Sequence, residues 1–295
     1  MYYVLYNTLS ANKQGLAYSR LLLGNHVPED AQMVEISSIA SYAEFWASID
    51  LENDTVVLSG GDGTINRFVN ENVGLTLPKN LFYFASGSGN DFKNDVDKNA
   101  TLIPLHKYIQ NLPTVTVNGK TSYFINGIGY GIDGYCCEEG DKFKAKSDKP
   151  VDYTAIAIKG LLFHFKPRNA KVTVDGVTKE YKKVWIAPTM KGRFYGGGMM
   201  VAPEQDRFDP EGMVSFAPLY NSGALHTLMI FPSIFKGEHV KHTKQVEVLK
   251  GHEITVEFDR PTALQIDGET VLGVTSYTVK TGKTANKKEQ AAAEV

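Results

Sequence analysis

The spacing of apolar residues changes part-way along this chain. Up to about residue 110, short apolar runs alternate with stretches of helical spacing. Tyr2–Tyr6, Met33–Ile36, Val56–Leu58 and Leu81–Ala85 are compact runs of the kind that make buried strands. Between them, Lys13–Leu23 carries Leu16, Leu21, Leu22 and Leu23, Ala40–Ile49 forms a second segment, and Ile65, Phe68 and Val69 mark a third. These intervening segments are predicted helices. Strand alternating with helix predicts a doubly wound parallel sheet in which every strand runs the same way.

From Val115 the period shortens. Val115, Val117, Tyr123 and Ile125 introduce alternation. Lys171–Val174 and Val177–Tyr181 flank Asp175-Gly176, a hairpin signal. Val184–Ala187, Val214–Ala217, Val246–Leu249, Ile254–Phe258 and Ala263–Ile266 add strands, with helices near Tyr153–Phe165 and Ala224–Phe235. The predicted class is therefore α/β followed by β: a doubly wound domain over residues 1–114, then an antiparallel β-sandwich-like domain over 115–274. Residues 282–295 form a polar tail with no apolar face.

In a parallel sheet the strand ends share one edge, where such folds bind ligands. Asn7, Ser37, Gly60–Thr64 and Gly87–Asp91 all follow predicted strands. Glycine lets backbone approach a ligand closely, and a helix start offers N–H groups to phosphate. Asp62 inside the first loop would repel a phosphate unless a cation stood between them, which suggests nucleotide with Mg²⁺. The alternative is that Asp62 or Thr64 merely caps the following helix.

Composition narrows the function. A chain of 295 residues suits two domains, and a net charge of −2 argues against a nucleic-acid partner. No apolar run is long enough to span a bilayer. Residues 1–7 read as a first strand rather than a secretory leader. Cys136 and Cys137 are the only cysteines. They form no disulfide framework, fit a reducing cytoplasm, and read as structural thiols. Residues 141–171 hold eight basic side chains against three acidic ones, among them Ile156, Leu161, Leu162, Phe163 and Phe165. Such a segment either rests on an anionic membrane or covers a sheet with its lysines in water.

Gly60-Gly61-Asp62-Gly63-Thr64 resembles the signature loop of the diacylglycerol kinase catalytic domain family, which includes bacterial lipid kinases and sphingosine kinases. Gly87-Ser88-Gly89-Asn90-Asp91-Phe92 is similar to its second nucleotide loop. Phe124-Ile125-Asn126, Gly131-Ile132-Asp133, Gly196-Gly197-Gly198-Met199, Gly237-Glu238-His239 and Asp267-Gly268-Glu269 follow in family order. The resemblance implies an ATP-binding domain, a β-rich lipid-substrate domain, an active site in the cleft between them, and a C-terminal strand near 275–281 completing the first domain. It implies ATP contacts from Asn7, Ser37, Gly60, Gly61, Asp62, Gly63, Thr64, Asn66 and Ser88, with Gly87, Asn90 and Asp91 in the second loop. Glu269 matches the general base.

Phosphoryl transfer needs positioning, charge neutralisation and a base. Asp62 and Asp91 are the expected Mg²⁺ supports, and Asp267 would orient Glu269; Asp267-Gly268 read alone is an ordinary hairpin turn. The acidic loop Glu204, Asp206, Asp209, Glu211 is a solvated loop or, as the resemblance implies, a structural Mg²⁺ site through Asp209 or Glu211. The expected activity is an ATP- and Mg²⁺-dependent lipid kinase acting on diacylglycerol or a related lipid. It would be cytoplasmic and peripheral at the inner face of the membrane, with a homodimer left open. The alternatives are an NAD kinase-like enzyme and a nucleotide- or lipid-binding regulator. The latter rests on departures from the family pattern at Ala11, Asn94 and the crossover near Pro113–Val115.

Overall fold

The computed structural model describes residues 1–282 apart from Ser88, Asp148 and Pro150. The expected ATP contact Ser88 and the tail from residue 283 lie outside the described residues. The chain forms two compact units. One is Met1–Gln110 with Gly196–Gly198; the other is Asn111–Tyr195 with the chain from Met199 onward.

In the first unit, β1 (Tyr2–Tyr6), β2 (Gln32–Glu35), β3 (Thr55–Gly60), β4 (Asn80–Ala85) and β5 (Ile103–Pro104) make one sheet in the order β2-β1-β3-β4-β5. The first four strands are parallel. Val4, Leu5, Val56, Val57 and Leu58 have no exposed surface, as the apolar runs required. The strand β5 pairs antiparallel with β4, so the expectation that every strand runs one way fails at this edge. Pro104 supplies no N–H, and an edge strand tolerates that.

The helical elements of this unit are α1 (Ser10–Lys13), a short turn whose last three residues are left-handed, α2 (Gly15–Arg20), α3 (Tyr42–Ala47), α4 (Asp62–Glu71), α5 (Asp91–Val96) and α6 (His106–Ile109). Ser41 caps α3, its hydroxyl accepting from Glu44 N at 3.3 Å. The predicted helix over Lys13–Leu23 is cut to Gly15–Arg20, because Ala11, Asn12 and Lys13 all lie in the left-handed region, with φ of 49°, 56° and 70°.

In the second unit a ten-stranded antiparallel sheet is built from β6 (Thr114–Val117), β7 (Lys120–Tyr123), β8 (Gly127–Tyr130), β9 (Arg168–Val174), β10 (Val177–Val184), β11 (Thr189–Met190), β14 (Val214–Phe216), β15 (Leu249–Gly251), β16 (Glu253–Ile266) and β17 (Glu269–Lys280). A small ribbon, β12 (Phe194–Tyr195) with β13 (Met199–Met200), stands apart from it. The two predicted strands Ile254–Phe258 and Ala263–Ile266 are one strand, β16, whose register slips against β17 between Glu257 and Thr262, around Pro261. Residues 275–280, expected to complete the first sheet, are the end of β17 instead. They pair with β16 and β6, because Tyr277 and Val279 belong to this unit's own core.

Three α-helices are described in this unit: α7 (Ile132–Lys144), which packs on β16 and β17; α8 (Tyr153–Lys159), which packs on α7 and runs on as a π turn over Gly160–His164; and α9 (Ala224–Ile230), which packs on that turn. The 13-residue α7 has no apolar stripe to announce it. Its Gly134 lies so close to β16 that a Cβ there would stand 2.0 Å from the Ala263 carbonyl oxygen. A second apolar cluster, with Ile132, Leu161, Phe165, Trp185, Ile230 and Ile234 among its members, lies under these helices.

Candidate functional site

At the strand-end edge of the first unit, the two glycine loops pack backbone against backbone. Ser86 N and Gly87 N both donate to the Gly60 carbonyl, at 2.9 and 3.1 Å, and the Tyr83 hydroxyl donates to the same oxygen at 2.9 Å. A Cβ on Gly87 would stand 2.4 Å from Gly61 Cα, and a Cβ on Gly60 would stand 2.3 Å from Thr64 Oγ1. Glycine is required at both positions by packing alone. Asn7 Nδ2 donates to Thr64 Oγ1 at 3.1 Å, tying the end of β1 to the start of α4. Asn90 Nδ2 donates to the Gly87 carbonyl at 2.9 Å, while Asn90 Oδ1 is buried with no partner among the described residues.

The loop aspartates staple backbone. Asp62 Oδ2 accepts from Asp91 N at 2.8 Å and its Oδ1 from Phe92 N at 3.1 Å, so Asp62 caps α5 rather than its own helix. Asp91, itself buried, accepts from Gly197 N at 2.8 Å and Gly198 N at 2.6 Å. This bond places Gly196–Gly198 in the first unit, and nothing in the sequence pattern foretold it. Ser37 sits on the same edge, where its hydroxyl donates to Glu35 Oε1 at 3.3 Å; Glu35 also accepts from Thr8 N. Asn66 lies further along α4 and its carbonyl accepts from Asn70 Nδ2. Gly63 lies in the first turn of α4. The left-handed run Ala11–Lys13 lies a few residues past the end of β1, beyond Asn7.

In the second unit, Asp267-Gly268 is the turn between β16 and β17, with positive φ at both residues (46° and 94°), the hairpin geometry that Asp-Gly favours. The Asp267 side chain does more than turn. Its Oδ1 accepts from Asn126 N and Gly127 N at 2.8 and 3.0 Å, its Oδ2 from Ile125 N at 2.6 Å, and its own N–H donates to the Gly127 carbonyl at 3.1 Å. Glu269, two residues on, is exposed. Arg207 donates to the Ile125 carbonyl and to Asn126 Oδ1, holding the same strap from its other side.

Three buried polar groups near the second apolar cluster were given no role by the sequence. Burial pushes the Asp133 carboxyl up to about 6 against the pull of the Tyr195 hydroxyl, which donates to its Oδ2 at 2.8 Å; its Oδ1 has no partner among the described residues. Burial pushes His239 down to about 4, with Nε2 3.0 Å from the Val201 carbonyl. Thr227 Oγ1 is buried without a partner among the described residues. Cys136 and Cys137 are free, and burial raises both thiols, Cys137 to about 12, which leaves them unreactive at neutral pH.

Asp209 Oδ1 accepts from Glu211 N and Met213 N at 3.0 and 3.2 Å, and Asp209 Oδ2 lies 3.7 Å from Lys250 Nζ. The acidic loop thus turns its carboxylate onto its own backbone, while Glu211 is exposed. No group of three or more His, Cys, Asp or Glu among the described residues is placed to hold a metal ion. Mg²⁺ is commonly held by one or two carboxylates together with substrate phosphates, so Asp62 and Asp91 remain a suitable donor set for a phosphate-borne cation.

Comparison with known proteins fits this layout. Residues 1–117 match the family model described as the diacylglycerol kinase catalytic domain, and residues 126–282 match the YegS C-terminal NAD kinase beta sandwich-like domain. A diacylglycerol kinase of Mycobacterium tuberculosis is 23% identical over 220 residues, covering 72% of this chain and 69% of that protein. A diacylglycerol kinase of Bacillus subtilis is 25% identical over 227 residues, covering 74% and 72%. The crystal structure of a diacylglycerol kinase from Bacillus anthracis superposes with a TM-score of 0.58 at 18% identity, covering 96% of this chain and 94% of that one, a likeness of fold.

Proposed function

The chain belongs to the diacylglycerol kinase catalytic family, and from that premise we propose that it is a lipid kinase that moves the γ-phosphate of ATP to a hydroxyl of diacylglycerol or a related lipid. The observation that carries the nucleotide half is the glycine edge. There the loops after β3 and β4 meet with no side chain between them, beside the Asn7–Thr64 bond and the unpartnered Asn90 Oδ1. That edge fits a polyphosphate: its backbone can be approached closely, and α4 starts at it.

In this reading Asn7, Ser37, Gly60, Gly61, Gly63, Thr64, Asn66, Gly87, Ser88 and Asn90 bind the nucleotide. Asp62 and Asp91 would hold Mg²⁺, which when bound supplies neutralisation of the phosphate charge. Glu269 takes the proton of the acceptor hydroxyl at its carboxylate, a role its exposure permits. Asp267 fixes the hairpin that carries it. The lipid substrate puts the protein in peripheral contact with a membrane, on the cytoplasmic side where ATP is found.

The test is transfer of label from γ-labelled ATP to a lipid panel in mixed micelles, with NAD as control acceptor. Labelled lipid supports the proposal, and labelled NAD alone would overturn it. Glu269→Gln keeps shape and hydrogen bonding but accepts no proton. Turnover should fall ~10²–10⁴-fold while calorimetric Mg-ATP affinity holds. Near-wild-type turnover by this variant would remove Glu269 from the role. If the wild type binds Mg-ATP yet labels nothing, a regulator of the same fold takes the kinase's place.

A further inference from the structure

The basic segment 141–171 divides in two once its partners are visible. On α7, Lys142 pairs with Glu138 and Glu139 at 2.8 and 2.7 Å, and Lys144 lies 3.6 Å from Asp141. This half is charge-balanced by its own helix, and the glutamates that balance it lie just before residue 141. The other half is different. From Tyr153 to Lys171 there is no acidic residue, and from Ser222 to Gly237 there is none either.

Those two acid-free stretches lie against each other. The π turn Gly160–His164 packs on α9, and Leu161 and Ile230 point inward to the same apolar cluster. Their outward positions are apolar as well. Phe163 is 76% exposed, Leu225 71% and Met229 72%. Leu225 and Met229 stand four residues apart on α9, so they share one face. Ile158 on α8 and Phe235 after α9 are exposed too. Single exposed apolar residues are ordinary, but five on four elements packed in series, α8, the π turn, α9 and the turn Phe231–Lys236, form a patch. Lys159, Lys166 and Lys236 are exposed on the same two stretches; Lys236 lies near the Glu238 carboxylate just past its stretch, which Lys241 already pairs at 3.0 Å.

We propose that this face, the outer side of α8, the π turn and α9, is the surface by which the protein docks on an anionic lipid bilayer. Phe163, Leu225 and Met229 enter the acyl boundary, and Lys159, Lys166 and Lys236 meet the head groups. The absence of any carboxylate over both stretches favours a uniformly anionic partner. A protein partner would be met by mixed charge at the rim. Apolar insertion and cationic attraction together are what interfacial elements use. The purpose of the docking rests on the lipid-kinase reading, but binding itself is measured without turnover, so either can fail alone.

The test is co-sedimentation with phosphatidylcholine vesicles, with and without phosphatidylglycerol, at low and physiological salt. Wild type should bind the phosphatidylglycerol vesicles and lose affinity as salt screens the charge. Phe163→Ser with Leu225→Ser and Met229→Ser should weaken binding at least about tenfold, equivalent to about 1.4 kcal/mol. These side chains are exposed, so the circular dichroism melt should be unchanged. Lys142→Glu with Lys144→Glu should leave binding within about twofold, because those lysines are already paired. No wild-type binding at low salt would overturn the proposal. So would undiminished binding by the triple variant, or an equal loss from the α7 variant. If the triple variant fails to fold, Phe163→Ser alone with a lysine set, Lys159→Gln, Lys166→Gln and Lys236→Gln, carries the same prediction.

Discussion

The strand-end edge of the first unit and the β16–β17 hairpin of the second use one device to different ends. In both, a motif aspartate gives its two oxygens to backbone N–H groups. Asp62 takes Asp91 and Phe92; Asp267 takes Ile125, Asn126 and Gly127. The surroundings differ. Asp62 is half-buried and staples one glycine loop to the next, leaving a surface of bare backbone. Asp267 is 7% exposed and staples a strap of buried residues to a turn, leaving Glu269 in solvent. These two aspartates are structural clamps, one on a glycine loop and one on a hairpin.

The comparison breaks most visibly in stability. Asp267→Ala removes the acceptor for three N–H groups on buried residues and leaves each unsatisfied. The expected loss is about 3–5 kcal/mol, since each stranded donor costs about 1–3 kcal/mol. Asp62→Ala strands the N–H groups of Asp91 and Phe92; both residues are buried, but their bonds to the half-buried Asp62 are only part-buried, so water entering from the Asp62 side can replace the carboxylate, and the loss should be about 1 kcal/mol. The chain's two tryptophans report the two units separately: Trp46 lies in the first and Trp185 in the second. Denaturant titration followed through Trp185 in a Trp46→Phe background measures the Asp267 variant, and the converse background measures Asp62. Equal losses would mean that burial does not separate the two clamps.

Asp133 sharpens the comparison from the other side, as a buried carboxylate whose Oδ1 has no hydrogen-bond partner among the described residues. Its Oδ2 accepts from the Tyr195 hydroxyl, and burial holds it near 6 against an ordinary value of 3.8. The folded protein binds this proton more tightly than the unfolded chain, so its ionisation costs stability as pH rises from about 4 to about 6. His239, held near 4 by burial, works oppositely: the unfolded chain binds its proton first, so stability falls as pH drops from 6.5 towards 4. The two offset each other in the wild type. Asp133→Asn should add up to about 3 kcal/mol at pH 8 and make the loss of stability on acidification steeper. Urea unfolding at pH 5 and pH 8 reads both. A variant with wild-type stability at pH 8 would show that Asp133 carries no burial penalty.

The periodicity of the chain contained most of the fold. The four parallel strands and the Asp175-Gly176 hairpin appear where apolar runs and turn residues put them. What escaped was fixed by contacts distant in sequence. Helix α7 lacks an apolar stripe because Gly134 and Gly140 meet a carbonyl and the Tyr153 ring directly. Residues 275–280 join the second sheet through a core that no local pattern reveals. The glycine edge was legible because close backbone approach demands a residue type. The bonds from Asp91 to Gly197 and Gly198, and from Asp267 to Ile125–Gly127, span more than a hundred residues and leave no local signal. For the same reason the net charge of 141–171 overstates the free positive charge at its α7 end: Glu138 and Glu139, which pair with Lys142, fall outside the window.

The smallest effect separates packing from ligand at the glycine edge itself. Gly87 is required by packing, since a Cβ there meets Gly61 Cα at 2.4 Å. Gly89, two residues on, is not: a Cβ there meets nothing within 4 Å among the described residues. Gly89→Ala should therefore leave folding stability within about 0.5–1 kcal/mol of wild type, with a slight gain from the stiffer unfolded chain. Any larger consequence must come from something that approaches the loop from outside. If the second loop cradles phosphate through its backbone, the added methyl will weaken Mg-ATP binding severalfold by calorimetry while the melt stays put. Gly87→Ala would lower both together and so says nothing about the ligand. Unchanged affinity in Gly89→Ala would mean that the nucleotide does not approach the chain at Gly89, and that the second loop's glycines serve only the contact between Gly61 and Gly87.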